Sequence, residues 1–106
     1  MKVLFDQGTP APLRKYLSQH EVLTAYELAW HELTNGELIE KAEQEDFDLL
    51  ITTDQNLRYQ QNLEGRRISI LVLRSTSWPK LESNVSLILE AIPFTKDELY
   101  IELGFD

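Results

Sequence analysis

Two short apolar runs, each ending in an aspartate, organise the hydrophobic pattern of this chain. Val3-Leu4-Phe5 runs into Asp6, and the uncharged stretch from Leu49 to Thr53 runs into Asp54. Apolar runs without polar alternation predict strands buried on both faces, because a strand with one wet face alternates. Ile68 to Leu73 (I-S-I-L-V-L) predicts another buried strand, and His20 to Thr24 a short one ending near Ala25. Near the end of the chain, Leu99, Ile101 and Leu103 alternate with Tyr100 and Glu102. That period of two predicts an edge strand.

Helical spacing fills the gaps. Pro10 and Pro12 suit a helix opening, where a missing N–H costs nothing, and Leu13, Tyr16 and Leu17 form one stripe. Thr34 and Glu37 make a T-x-x-E capping box, with Leu33 and Leu38 spaced as a hydrophobic staple. Behind it Leu38, Ile39 and Ala42 form an apolar face opposite Glu40, Lys41, Glu43, Gln44 and Glu45. A short helix is expected from Leu57 to Leu63, ended by Gly65. Trp78 and Pro79 open what reads as the longest helix, with Leu81, Val85, Ile88, Leu89 and Ile92 on one side and Pro93 as its stop. Strands alternating with helices imply crossover connections, hence one α/β domain over residues 1–106. Its expected architecture is a three-layer α/β/α sandwich with a mostly parallel central sheet.

Composition narrows the function classes. No apolar run approaches the roughly 20 residues of a membrane helix, and no basic region leads into an apolar segment at the start, so no membrane association and a cytoplasmic location are expected. The absence of cysteine removes disulfides and thiolate metal sites. The net charge of −8 is unevenly spread: residues 20–54 carry −9 and residues 55–80 carry +4. A chain this acidic is a poor non-specific binder of nucleic acid. The local excess of Arg58, Arg66, Arg67, Arg74 and Lys80 reads either as a phosphate-holding patch or as solvated surface with ion pairs.

Parallel strands bring the acids at their carboxyl ends to one edge of the sheet. Asp6, Asp54 and Glu27, the last just after the second strand, would there make an oxygen-rich pocket of the kind Mg²⁺ or Mn²⁺ prefers. Such an ion activates water and stabilises the leaving oxygen of a phosphodiester. Each acid also has a structural reading: Asp54 as a helix N-cap, Asp6 as a turn residue, Glu27 as surface. His20 and His31 lack a zinc-ligand spacing, the four glycines are too scattered for a phosphate loop, and no nucleophile turn is present.

Four segments resemble a known family: L-F-D-Q-G-T-P-A-P-L-R at 4–14, H-E-V-L-T-A-Y-E-L at 20–28, L-T-N-G-E-L-I at 33–39 and L-I-T-T-D-Q-N-L at 50–57. Together they look like the small PIN-like domains, relatives of PIN nucleases, over roughly residues 1–75. The resemblance implies a PIN-like sandwich and a Mg²⁺- or Mn²⁺-dependent ribonuclease, in some members the toxin of a toxin–antitoxin pair. Asp6 matches the acid after the first strand, Asp54 the acid of the T-x-D turn, and Glu27 an acid after the second strand. The chain departs from the pattern at three places: Asn35 and Asn56 stand where many relatives carry Asp, and Gln7 replaces a common Glu. In this reading Asp6 and Asp54 hold the metal, and Glu27 is a third acid or general base. Asn35, Asn56 and Gln7 support them, while Arg58, Arg66 and Arg67 contact RNA. Because three charges are missing, a non-catalytic module held in a homodimer or against a small antitoxin-like protein stands as the alternative.

Overall fold

The apolar runs become the centre of one all-parallel sheet. The computed structural model describes residues 1–60 and 62–105. Its strands are β1 (Lys2–Phe5), β2 (Glu21–Thr24), β3 (Leu49–Thr52), β4 (Ser69–Leu73) and β5 (Tyr100–Leu103), in spatial order β2-β1-β3-β4-β5. Every residue of β3 and β4 is buried, as unbroken apolar runs demand, and the half-exposed β2 and β5 are the edges.

Alternation within each strand sends side chains to two separate cores. Val3, Phe5, Leu49, Ile51, Leu71 and Leu73 point to one face of the sheet. Leu4, Leu50, Ile70 and Val72 point to the other. The first face is covered by the 3-10 segment Ala11–Tyr16 through Leu13, by α3 (Trp78–Ser83) through Leu81, and by α4 (Val85–Ala91) through Ile88. The second is covered by α1 (Asn35–Gln44) through Leu38, Ile39 and Ala42, and by α2 (Leu57–Gln60) through Leu57. Both faces are thus shielded by helices. Each fully buried Leu or Ile contributes about 1.5–3 kcal/mol of transfer free energy.

The α1 start is as the sequence pattern predicts: Thr34 accepts from the Glu37 N–H and Glu37 returns a bond to the Thr34 N–H. Two helical expectations fail. The segment opened by Trp78 breaks at Asn84, so α1 is longer than either α3 or α4. Asn84 Nδ2 and Ser83 Oγ both donate to the Lys80 carbonyl, at 2.8 and 3.0 Å, and so compete with the helical ladder. Beyond the break Leu89 is 40% exposed; α4 ends at Ala91, just ahead of Pro93 as expected, and the chain goes on in a 3-10 segment, Ile92–Lys96. After Asp54, α2 ends at Gln60 and Leu63 is not helical; the expected continuation through Gln61 lies outside the described residues. Gly65, at φ 78°, serves a separate turn.

The topology opens a crevice. The chain leaves β1 over the first face toward β2 and leaves β3 over the second face toward β4. Loops departing to opposite faces from neighbouring strands form a switch point, where open α/β sheets bind ligands. Asp6 follows β1 and Asp54 follows β3, so the two acids flank that crevice. The β4–β5 crossover runs over the same face as the β1–β2 crossover but steps the other way, so the two have opposite hands. With α1 and α2 occupying the second face, the apolar stripe of α3 and α4 is buried on the first.

Candidate functional site

Asp6 is held by a built cradle. Its Oδ1 accepts the Thr9 N–H at 3.1 Å and lies 2.7 Å from Thr9 Oγ1, and its Oδ2 accepts the Thr52 hydroxyl. Thr9 Oγ1 is also 2.9 Å from the Ile51 carbonyl, so the 6–9 turn is fastened to β3 as well as to Asp6. Burial pushes the Asp6 carboxyl above its ordinary range. The Thr52 and Thr9 hydrogen bonds offset part of that rise, and the nearby charge of Asp54 adds to it. Gly8 is required here for space: a Cβ at this position would sit 2.7 Å from Thr53 Oγ1.

Asp54 is reached from the same threonine. The fully buried Thr52 hydroxyl donates to Asp6 and accepts the Asp54 N–H at 3.0 Å, joining the two acids through one side chain. Asp54 Oδ1 accepts the Asn56 N–H at 2.9 Å, the turn-capping role open to any Asp ahead of a helix. Its Oδ2 accepts Asn35 Nδ2 at 2.7 Å, from the first residue of α1. An ionised carboxylate has about four acceptor positions. These bonds therefore leave Asp6 about one and Asp54 about two to face a ligand.

Glu27 does not join them. It forms a reciprocal pair with Thr24 (Thr24 N–H to Oε1 2.9 Å, Glu27 N–H to Thr24 Oγ1 3.1 Å), and its carboxylate is forked onto the Arg14 guanidinium. Arg14, followed by the Thr24 N–H, holds the Glu27 carboxyl below the usual range. Among the described residues no group of three or more His, Asp or Glu side chains is placed to hold a metal ion. The donor set at the crevice is two carboxylates, with Asn35 bound to one of them. That set fits Mg²⁺, which commonly takes one or two protein carboxylates and completes its shell with water and phosphate oxygens. It does not fit a three-acid cage.

The arginines divide by edge. Arg66 and Arg67 precede β4 and lie at the amino edge, one strand length from the crevice, about 17 Å at about 3.3 Å per residue. There Arg66 pairs with Glu43 at 2.8 Å, and Glu43 also accepts the Arg67 and Ile68 N–H groups. Neither is placed to touch a phosphate held by Asp6 and Asp54. Arg58, on α2, sits over the Tyr59 and Tyr100 rings and 3.9 Å from Glu102. Arg74, which follows β4 at the carboxyl edge, reaches Gln55 at 3.4 Å.

Two cavities meet at Asp6 and Gln7. A groove of about 620 Å³ runs between the 3-10 segment Ala11–Tyr16 and the turn after β2, lined by Ala11, Pro12, Lys15 and Tyr26. A cleft of about 130 Å³ on the other side is lined by Gly8, His31 and Asn35. His31 Nδ1 is buried there and finds no hydrogen-bond partner among the described residues. Thr52, Thr9 and His31 are site residues that the sequence pattern does not single out. Only the T-x-D spacing hints at Thr52; nothing local marks Thr9 or His31. A third cleft, at the opposite edge, of about 550 Å³ near Glu43, Asp48 and Arg67, is remote from both acids. No family model, curated protein or solved structure matches this chain.

Proposed function

We propose that this chain is a Mg²⁺- or Mn²⁺-dependent ribonuclease with a two-carboxylate site, of the PIN-like kind its motifs resemble. The observation that carries the reading is the placement of Asp6 and Asp54 on either side of the β1–β3 switch point, bridged by Thr52. Asp6 and Asp54 would hold the ion. When bound, it would lower the pKa of a water and offset charge on the scissile phosphate. Thr52 and Thr9 fix the Asp6 carboxylate before substrate arrives, and the Asn35 amide fixes Asp54. The partly buried Asp6 is destabilised as an anion in the free protein, which favours capture of a cation. Glu27 acts in this reading as a brace through Arg14 and Thr24, with no direct part in hydrolysis.

The test is cleavage of single-stranded RNA with Mn²⁺ by the wild type and by Asp54→Asn, which should be inactive. Equal cleavage by the two proteins would mean a contaminating nuclease and defeat the proposal. One contact favours the second reading, a binding module without catalysis: the Asn35 amide occupies a position where an acid would add charge. That reading expects millimolar Mn²⁺ to leave the melting temperature unchanged. The nuclease reading expects a rise of several degrees that Asp6→Asn abolishes, because a ligand of the folded state raises its stability.

A further inference from the structure

The groove beside Asp6 has the chemistry of a nucleobase site rather than of a phosphate channel. Its walls include Ala11, Pro12 and Tyr26. Of its two cations, Arg14 is committed to Glu27, and Lys15 forms no ion pair among the described residues. One uncommitted cation is too little for a phosphate-driven interface on a chain of net charge −8, so binding here must draw on stacking.

Tyr26 is suited to that. It is 72% exposed and so open to a ligand. Its ring nevertheless rests on His31, with centroids 4.9 Å apart and planes tilted by 36°, which limits the freedom it would lose on stacking a ligand. The turn that presents it is fixed three ways. The Ala29 N–H bonds the Tyr26 carbonyl at 3.1 Å, the Trp30 N–H bonds the Ala25 carbonyl at 2.8 Å, and the Arg14–Glu27 pair ties the turn to the opposite wall. The groove is therefore preformed, and Asp6 belongs to its lining.

We propose that this groove binds the base of the nucleotide adjoining the scissile phosphate of single-stranded RNA. The Tyr26 ring is its stacking surface, and Lys15 contacts the next phosphate. The inference rests on the ribonuclease reading and specifies its substrate: a single strand, because a base paired in a duplex cannot enter the groove. Stacking on an aromatic residue is worth about 1–3 kcal/mol per base, which is roughly a 5- to 150-fold change in binding.

The experiment is steady-state cleavage of an oligouridylate with Mn²⁺ by the wild type, Tyr26→Ala and Tyr26→Phe. Tyr26→Ala should raise KM by about 5- to 150-fold with kcat nearly unchanged, and Tyr26→Phe should behave as wild type. Tyr26 is exposed, so neither variant threatens the fold. An oligomer lacking the base at the adjoining nucleotide should show the same loss with wild type, and no further loss with Tyr26→Ala. If the wild type cleaves but Tyr26→Ala has an unchanged KM, or the two losses add in full, the base site is refuted and the ribonuclease reading stands. If the wild type does not cleave, both fall together.

Discussion

Replacing Asn35 by Asp exchanges a donor for a charge at the centre of the site. Asn35 Nδ2 gives Asp54 Oδ2 a 2.7 Å hydrogen bond, so Asn35→Asp removes a bond to a charged acceptor and sets two carboxylates face to face. The lost bond costs about 1.5–3 kcal/mol. Two unit charges about 3 Å apart repel by about 1.4 kcal/mol in water and about 5.5 kcal/mol at an effective dielectric of 20. Asp54 and Asn35 are partly solvated and the new carboxylate can rotate away, which favours the lower figure. Residue 35 is also the first residue of α1, where the helix dipole returns about 0.3–1 kcal/mol to an acid. The net loss in EDTA is about 2–4 kcal/mol. At about 4–8 °C per kcal/mol for a domain of this size, the melting temperature should fall by about 8–32 °C. A divalent cation held between the carboxylates supplies the missing positive partner, and a ligand at about 100 times its Kd adds about 2.7 kcal/mol. Thermal melts in EDTA and in millimolar Mn²⁺ therefore decide the matter. The gap between Asn35→Asp and wild type should be wide in EDTA and mostly closed by Mn²⁺. No loss in EDTA would refute the Asn35–Asp54 contact; a loss indifferent to Mn²⁺ would refute the metal site.

Three further outcomes follow from the same geometry. Asp6→Asn removes an anion that burial disfavours and keeps an oxygen for Thr9, but it turns an amide N–H toward the buried Thr52 hydroxyl. The two effects oppose, so in EDTA its melting temperature at neutral pH should stay close to that of the wild type, while cleavage with Mn²⁺ disappears. Glu43→Gln should cost about 1–3 kcal/mol at neutral pH, measured by urea unfolding, because Gln cannot serve Arg66 and the Arg67 and Ile68 N–H groups equally. Burial alone would raise the Glu43 carboxyl, but Arg66 and the two backbone donors outweigh it and hold it low. Its contribution is thus complete above the ordinary glutamate range and is lost as pH falls through the lowered folded value; the gap to Gln should shrink in that acid window. Gly8→Ala presses a Cβ to 2.7 Å from Thr53 Oγ1, whose β-branched side chain yields poorly. It should cost about 1–3 kcal/mol and lower kcat, since the displaced turn carries Asp6.

Much of the frame was legible along the chain. Val3 to Phe5, Leu49 to Thr52 and Ser69 to Leu73 are strands because their unbroken apolar runs can be buried only between two layers. The α1 start was equally plain, because a capping box is completed by residues three apart. The delivery of Asp6 and Asp54 to one edge also follows from strands that run parallel. What the chain could not reveal is which partner each side chain finds across the sheet. Arg14 and Glu27, thirteen residues apart, neutralise each other only because the 3-10 segment and the β2 turn form facing walls. Arg66 and Arg67 are close in sequence to the acidic stretch, yet the length of β4 sets them at the far edge, with Glu43. Asn84 breaks a helix that periodicity alone would continue, because its amide competes locally for the Lys80 carbonyl. Apolar period is a property of the chain and is read from it directly. The state of a charge depends on its neighbours in space, and those are chosen only when the sheet closes.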